Sequence, residues 1–182
     1  MNNHSTSEYS EAYIALGANL GDRERSLREA LALLDSREGI EVTRCSRVYE
    51  TDPVGYLDQP KFLNMAAALR TSLEPECLLS IMLETENHLG RVRHIPNGPR
   101  TVDLDLLWME GRRLDSAHLT LPHPRMMERA FVLFPLNDIV PQDETSGLRQ
   151  LVDDALKKLD GEDGITLWTA DVLGGGSGLS AN

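Results

Sequence analysis

Residues 99–109 read P-R-T-V-D-L-D-L-L-W-M, and the alternation within them decides how the rest of the chain is read. Successive side chains of a strand point to opposite faces, so Val102, Leu104 and Leu106 share one face while Asp103 and Asp105 share the other. Thr101–Met109 is therefore expected to be a strand. Working back from it, Pro75 suits the first turn of a helix that carries Leu78, Ile81, Met82 and Leu89 on one stripe. Earlier still, Phe62–Thr71 and Ile40–Glu50 read as strands, and Asp22 can cap a helix marked by Leu27, Ala30, Leu31 and Leu34. Ala12–Leu16 is a short apolar strand. The order strand, helix, strand, strand, helix, strand is that of an α+β, ferredoxin-like βαββαβ core with both helices on one face of a sheet. Beyond it, Leu148, Leu151, Val152, Ala155, Leu156 and Leu159 define an amphipathic helix, so extra C-terminal helices are expected.

The two aspartates carry the chemistry. Two residues along a strand advance roughly 6.6 Å, so the carboxylates stand close together on one face. Aspartate is disfavoured in strands, and like charges this close repel unless something positive lies between them. A hard cation fills that need, and magnesium is commonly held by one or two carboxylates plus substrate phosphates. Taken alone, the pair fits a solvated polar strand face equally well. The preceding segment tips the balance: Arg91, Arg93 and Arg100 lie within ten residues that contain no acid. Arginine presents a fork matched to phosphate oxygens, and phosphoryl transfer needs positioning and charge neutralisation above all. Ion pairing with surplus surface acids is the competing account of these arginines.

Composition narrows the partners. Lys and Arg number 18 against 29 Asp and Glu, a net charge of −11. Bulk attraction to nucleic acid or to an anionic membrane is therefore not expected, and any polyanion must be held by a local cluster of cations. Cys45 and Cys77 lack Cys or His neighbours at ligand spacing, which favours buried free thiols over a disulfide or a zinc site. No apolar run has membrane-spanning length, and the start M-N-N-H-S-T-S-E-Y-S-E lacks signal-peptide character, so a cytoplasmic setting is expected. Residues 1–11 read as a disordered tail, 12–172 as one domain, and the Gly/Ser-rich 173–182 as a flexible tail.

Three other stretches stand out. G-A-N-L-G-D, Gly17–Asp22, resembles a glycine-rich turn opening a helix but lacks the Lys-Ser/Thr pair of a P-loop. A tight turn needing positive φ accounts for it as well as a ligand does. T-D-P-V-G-Y-L-D-Q-P-K-F-L-N is a shaped loop running into Phe62 and Asn64, which share a strand face. An aromatic plane beside an amide suits a flat heterocycle, although a core Phe beside a turn-bonded Asn fits too. L-P-H-P-R-M-M-E-R-A-F holds His123, Arg129 and Phe131. A proline-bracketed histidine suits a ligand contact, yet a lone histidine is more often structural.

Together these segments resemble one family, the 6-hydroxymethyl-7,8-dihydropterin pyrophosphokinases of folate biosynthesis. The likeness rests on A-Y-I-A-L-G-A-N-L-G-D, D-Q-P-K-F-L-N-M-A, G-R-V-R with G-P-R-T-V-D-L-D-L-L, and L-T-L-P-H-P-R-M-M-E-R-A-F-V-L-F-P-L, spanning about residues 12–141. The resemblance implies pyrophosphate transfer from ATP to the pterin hydroxymethyl group with release of AMP. It implies that Asp103 and Asp105 hold two magnesium ions, that Arg91, Arg93, Arg100 and Arg129 meet the phosphates, and that His123, Leu106 and Glu86 lie on the ATP side. On the pterin side it implies a Phe62–Phe131 sandwich, an edge contact from Asn64, and a lining from Gly17, Thr51 and Val54. A monomer is expected, and the acidic charge balance argues against a nucleic-acid or membrane partner. Three features depart from the family pattern: Asp52 stands where proline is frequent, Phe62 replaces a common tyrosine, and the loop H-I-P-N between Arg93 and Gly98 is short and lacks the aromatic and the additional arginine that some members carry there. A non-catalytic ferredoxin-like nucleotide-binding module remains the alternative, distinguished by the absence of magnesium-dependent product.

Overall fold

The computed structural model describes residues 8–90, 101–160 and 164–168. Its main sheet is antiparallel. Strand β1 (Ser10–Ala18) lies at the centre between β4 (Phe62–Thr71) and β5 (Asp103–Met109). The far edge of β4 is shared by β2 (Ile40–Cys45), which pairs with its second half, and β3 (Tyr49–Thr51), which pairs with its first three residues. A last strand, β8 (Ile165–Leu167), adds to the outer edge of β3. A separate small hairpin joins β6 (Leu114–Asp115) to β7 (Thr120–Leu121).

The expected Ile40–Glu50 strand is thus two strands. Tyr49 faces Asn64 and Cys45 faces Ala67, so Ser46, Arg47 and Val48 stand opposite only Met65 and Ala66. One extra residue makes a bulge. Ser46 satisfies the interrupted ladder: its N–H donates to the Ala66 carbonyl at 2.9 Å, and its Oγ accepts from the Ala66 N–H at 2.8 Å.

Helices cover both faces. Helix α1 (Arg23–Asp35) starts where the Asp22 carboxylate accepts from the Arg25 N–H at 3.1 Å, and it buries Leu27, Ala30, Leu31 and Leu34. Helix α2 (Pro75–His88) begins on Pro75 and buries Leu78 and Met82. Both pack on the face that carries Ile14, Leu16, Met65, Leu104 and Leu106. On the opposite face, Tyr13, Ala66, Ala68 and Leu107 meet α3 (Ala130–Ile139) and α4 (Leu148–Lys158). The alanine run Ala66–Ala68 is buried throughout, and its small side chains let helices approach β4 from both sides. Helix α3 was not anticipated, because Pro135 sits within it and proline ordinarily marks a break. Cys45 is buried as expected, but Cys77 is exposed, since it falls on the outward side of the first turn of α2. No helix among the described residues is long and apolar enough to cross a membrane.

Candidate active site

Alternation along three adjacent strands builds the site at one end of the sheet. Gly17, near the end of β1, stands opposite Asn64 on β4 and opposite Asp103 on β5; Ala15 stands opposite Asp105 and Ala66. These residues share the face that α3 and α4 pack against, but lie toward the end where β1 finishes and β4 and β5 begin. Both aspartates therefore have the smallest side chains as their neighbours on β1. The two half-buried carboxylates thus stand beside a floor of glycine and alanine.

The missing side chain at Gly17 matters more than its backbone freedom. A Cβ there would lie 2.8 Å from Asn64 Oδ1 and 3.7 Å from Phe62 Cδ1. Asn64 is 8 % exposed and its Nδ2 donates to Thr51 Oγ1 at 2.6 Å, which fixes the amide and leaves Oδ1 beside Gly17. Thr51 itself faces Phe62 across the β3–β4 ladder. Gly17, Thr51, Phe62 and Asn64 thus form one cluster. Positive φ belongs instead to the other glycine of that stretch, Gly21, at +62°. The turn reading is right for Gly21 and does not describe Gly17.

Val54 lies on the loop between β3 and β4 and is 64 % exposed. That loop is tied back to the body by Asn19, whose Nδ2 donates to Gln59 Oε1 at 2.9 Å and to the Pro60 carbonyl at 3.1 Å. Across the site, Phe131 is the second residue of α3 and Arg129 precedes the helix. The Arg129 guanidinium lies over that ring, 5.5 Å from the Phe131 centroid, so the cation and the aromatic plane form one unit.

His123 links the two halves. Its backbone N–H donates to the Leu107 carbonyl at 2.8 Å, and its Nδ1 accepts from the Arg125 N–H at 3.2 Å. The neutral ring therefore carries its proton on Nε2. Burial, then the charges of Arg129 and Arg125, hold its pKa below the ordinary imidazole value, against an opposing pull from Asp103. Glu86 of α2 is 1 % exposed, and its Oε1 accepts from the Leu104 N–H at 2.9 Å. It thereby fastens the backbone between the two aspartates.

A cleft of about 270 Å³ opens beside Asp105, bounded by Leu79, Leu106, His118, Thr120 and His123. Leu106 reaches it from the face of β5 opposite the aspartates, at the edge strand of the sheet. His118, Thr120 and Leu79 were missed in the sequence. The two-residue strands of the β6–β7 hairpin are too short to show a period, and Leu79 reads as an ordinary helical apolar residue. The expected phosphate contacts Arg91, Arg93 and Arg100 lie outside the described residues.

The donor set at the aspartates is two carboxylates at adjacent same-face positions. Among the described residues no group of three or more His, Cys, Asp or Glu gathers as a preformed cage. Two carboxylate donors suit magnesium, which keeps waters and completes its shell with substrate phosphates.

An α+β domain with paired carboxylates beside a cleft, and a stacked arginine across from them, has the equipment of a metal-assisted phosphoryl-transfer enzyme. Comparison with known proteins gives the particular family. A family model described as 7,8-dihydro-6-hydroxymethylpterin-pyrophosphokinase (HPPK) matches residues 13–141, and the chain belongs to that family. It is 47 % identical over 86 % of its length to the 2-amino-4-hydroxy-6-hydroxymethyldihydropteridine pyrophosphokinase of Bacillus subtilis, covering 89 % of that protein. A 44 % identical pyrophosphokinase of the same description from Methylorubrum extorquens is covered to 93 %, over 82 % of this chain. The mitochondrial folate synthesis bifunctional protein of Arabidopsis thaliana is 48 % identical over 71 % of the chain, which spans only 23 % of that longer protein. Among solved structures, Plasmodium falciparum HPPK-DHPS with pterin and p-hydroxybenzoate aligns with a TM-score of 0.64 at 16 % identity, over 85 % of this chain and 44 % of that one. The chain is an enzyme, a pyrophosphokinase of folate biosynthesis, and the non-catalytic alternative has no support.

Proposed function

We propose that the chain transfers the pyrophosphoryl group of ATP to the hydroxymethyl oxygen of 6-hydroxymethyl-7,8-dihydropterin, releasing AMP. The observation that carries this reading is the register that brings Gly17, Asn64 and Phe62 beside Asp103 on one face of the sheet. The pterin lies over the Gly17 gap between the rings of Phe62 and Phe131. The Asn64 amide, held by Thr51, reads its polar edge, and Val54 covers it from the loop. The adenine end of ATP occupies the cleft lined by Leu106 and His123. Two magnesium ions held by Asp103 and Asp105 would supply charge neutralisation at the phosphate oxygens.

The hydroxymethyl oxygen attacks the β-phosphorus in line. An O–P bond forms there as the bond from that phosphorus to the α–β bridging oxygen breaks, and AMP leaves with the bridging oxygen. The hydroxyl proton passes to water. Arg129, steadied on Phe131, together with Arg91, Arg93 and Arg100, meets charge on the transferred group and orients it. Glu86 acts through the Leu104 amide on the strand that carries the aspartates.

The strand order β5–β1–β4–β2 with α1 and α2 on one face supports the ferredoxin-like βαββαβ description, in one domain whose first strand starts at Ser10. The two free thiols fit a cytoplasmic setting. The test is product identity: ATP, magnesium and the reduced pterin alcohol should give AMP and a pterin pyrophosphate in equal amounts. ADP in place of AMP would overturn the proposal.

A further inference from the structure

We propose that the C-terminal strand β8, with Trp168 beside it, is a positioning element for the pterin-binding loop 52–61 and so sets the affinity for pterin but not for nucleotide. Both elements lie beyond the residues that the family model matches. The inference rests on the assignment of Thr51, Val54 and Phe62 to the pterin side of the site.

The loop is held at both ends by groups from the C-terminal segment and α1. At its start, the Asp52 N–H donates to the Gly164 carbonyl at 2.9 Å, extending the β3–β8 pairing by one residue past Thr51. A proline at that position could make no such bond. At the other end of the pairing, the Trp168 N–H donates to the Val48 carbonyl at 2.9 Å. The indole then turns toward α1: its Nε1 donates to Glu24 Oε1 at 2.5 Å, and Arg23 lies over its ring at 5.0 Å.

Arg23 carries the restraint to the end of the loop. Its guanidinium donates at 2.9 Å both to Glu50 Oε2 on β3 and to the carbonyl of Lys61, the residue before Phe62. Lys61 in turn lies 3.5 Å from the Asp52 carboxylate, closing the mouth of the loop. Trp168 thus sits behind an arginine that joins the two strands from which Thr51 and Phe62 arise. Without β8, strand β3 would be a three-residue edge held on one side only, and the Thr51–Asn64 contact would rest on it.

Two full-length variants test this. Trp168→Ala removes the plate behind Arg23. Gly164→Val puts a β-branched side chain at φ +80°, where a Cβ would also strike the Asp52 carboxylate. Each should raise the KM for pterin by about tenfold or more, as expected for a misplaced substrate contact, and leave the KM for ATP within about twofold. Unchanged pterin kinetics, or both KM values rising in parallel, overturns the proposal. Phe62→Ala serves as the control: if it too leaves the pterin KM unchanged, the pocket assignment has failed rather than the clamp. In the unaltered protein, pterin added to the complex with magnesium and a non-hydrolysable ATP analogue should slow amide exchange at residues 165–168 as well as in the loop. Protection confined to the loop overturns the proposal even where neither variant folds.

Discussion

Gly17→Ala is the sharpest probe of the site, because a single methyl group meets one named atom. The new Cβ would lie 2.8 Å from Asn64 Oδ1, so the amide must retreat by about 0.6 Å to reach ordinary contact at 3.4 Å. It cannot do so freely, since it is buried and its Nδ2 is held at 2.6 Å by Thr51 Oγ1. Overpacking of this kind costs about 1–3 kcal/mol, and swinging the amide away instead forfeits a hydrogen bond worth about 0.5–1.5 kcal/mol. At roughly 2–4 °C per kcal/mol for a chain of this size, Tm should fall measurably. Binding should suffer more than stability does. Losing one or two hydrogen bonds from Asn64 to the pterin edge weakens pterin binding by about 10- to 100-fold.

Nucleotide affinity should hold within a factor of about two, since the atoms nearest the new Cβ belong to Asn64 and Phe62 and none to Asp103. Calorimetric titration of pterin into the complex with magnesium and a non-hydrolysable ATP analogue gives the first quantity, and titration of the analogue alone gives the second. Adding Asn64→Ala to Gly17→Ala should cost less stability than the sum of the two single changes, because the collision is gone. Wild-type pterin affinity in Gly17→Ala would refute the pocket, and a strictly additive double variant would refute the collision.

Asp103→Asn and Asp105→Asn should each lower kcat by about 10²-fold or more with the circular dichroism spectrum unchanged, since charge is lost at the reacting phosphates; near-normal turnover in both would remove the metal assignment. His123 gives a pH-dependent effect on stability. Its native pKa lies below the ordinary value, so between the two values the unfolded chain binds more protons, and stability falls as pH drops below about 6.5. The two states differ by at most one proton at this group, so its slope is at most about 1.4 kcal/mol per pH unit. His123→Gln should flatten the curve of urea midpoint against pH between 7 and 5 by that amount, and an unchanged curve would show that burial does not hold the ring neutral.

Much of the site was legible because it is written in periods of two. The alternation T-V-D-L-D-L-L places Asp103 and Asp105 on one face whatever else the chain does, and F-L-N does the same for Phe62 and Asn64. The capping aspartate Asp22, Pro75 at a helix start, and the apolar stripes of α1, α2 and α4 are local signals, and they survive folding because burial reinforces them. What local pattern could not show is any feature created by the neighbouring strand. The bulge at Ser46–Val48 exists only relative to the register of β4, so the sequence reads as one continuous strand. Helix α3 is hidden by Pro135, whose lost hydrogen bond is offset by burial of Val132, Leu133, Leu136 and Ile139.

By itself, then, the sequence determined which residues carry chemistry and which way each points from its own strand. Tertiary structure decided which of them meet. Gly17 reads as a turn glycine until Asn64 is laid opposite it, when its significance becomes the absent Cβ. Glu86 reads as one acid among many until α2 lays its carboxylate against the Leu104 amide. Asp52 becomes a link to residue 164 only when a strand from the far end of the chain pairs with β3. The reason is physical: alternation and capping are properties of a few consecutive residues, whereas register and close approach depend on segments up to a hundred or more residues apart, which only packing brings together.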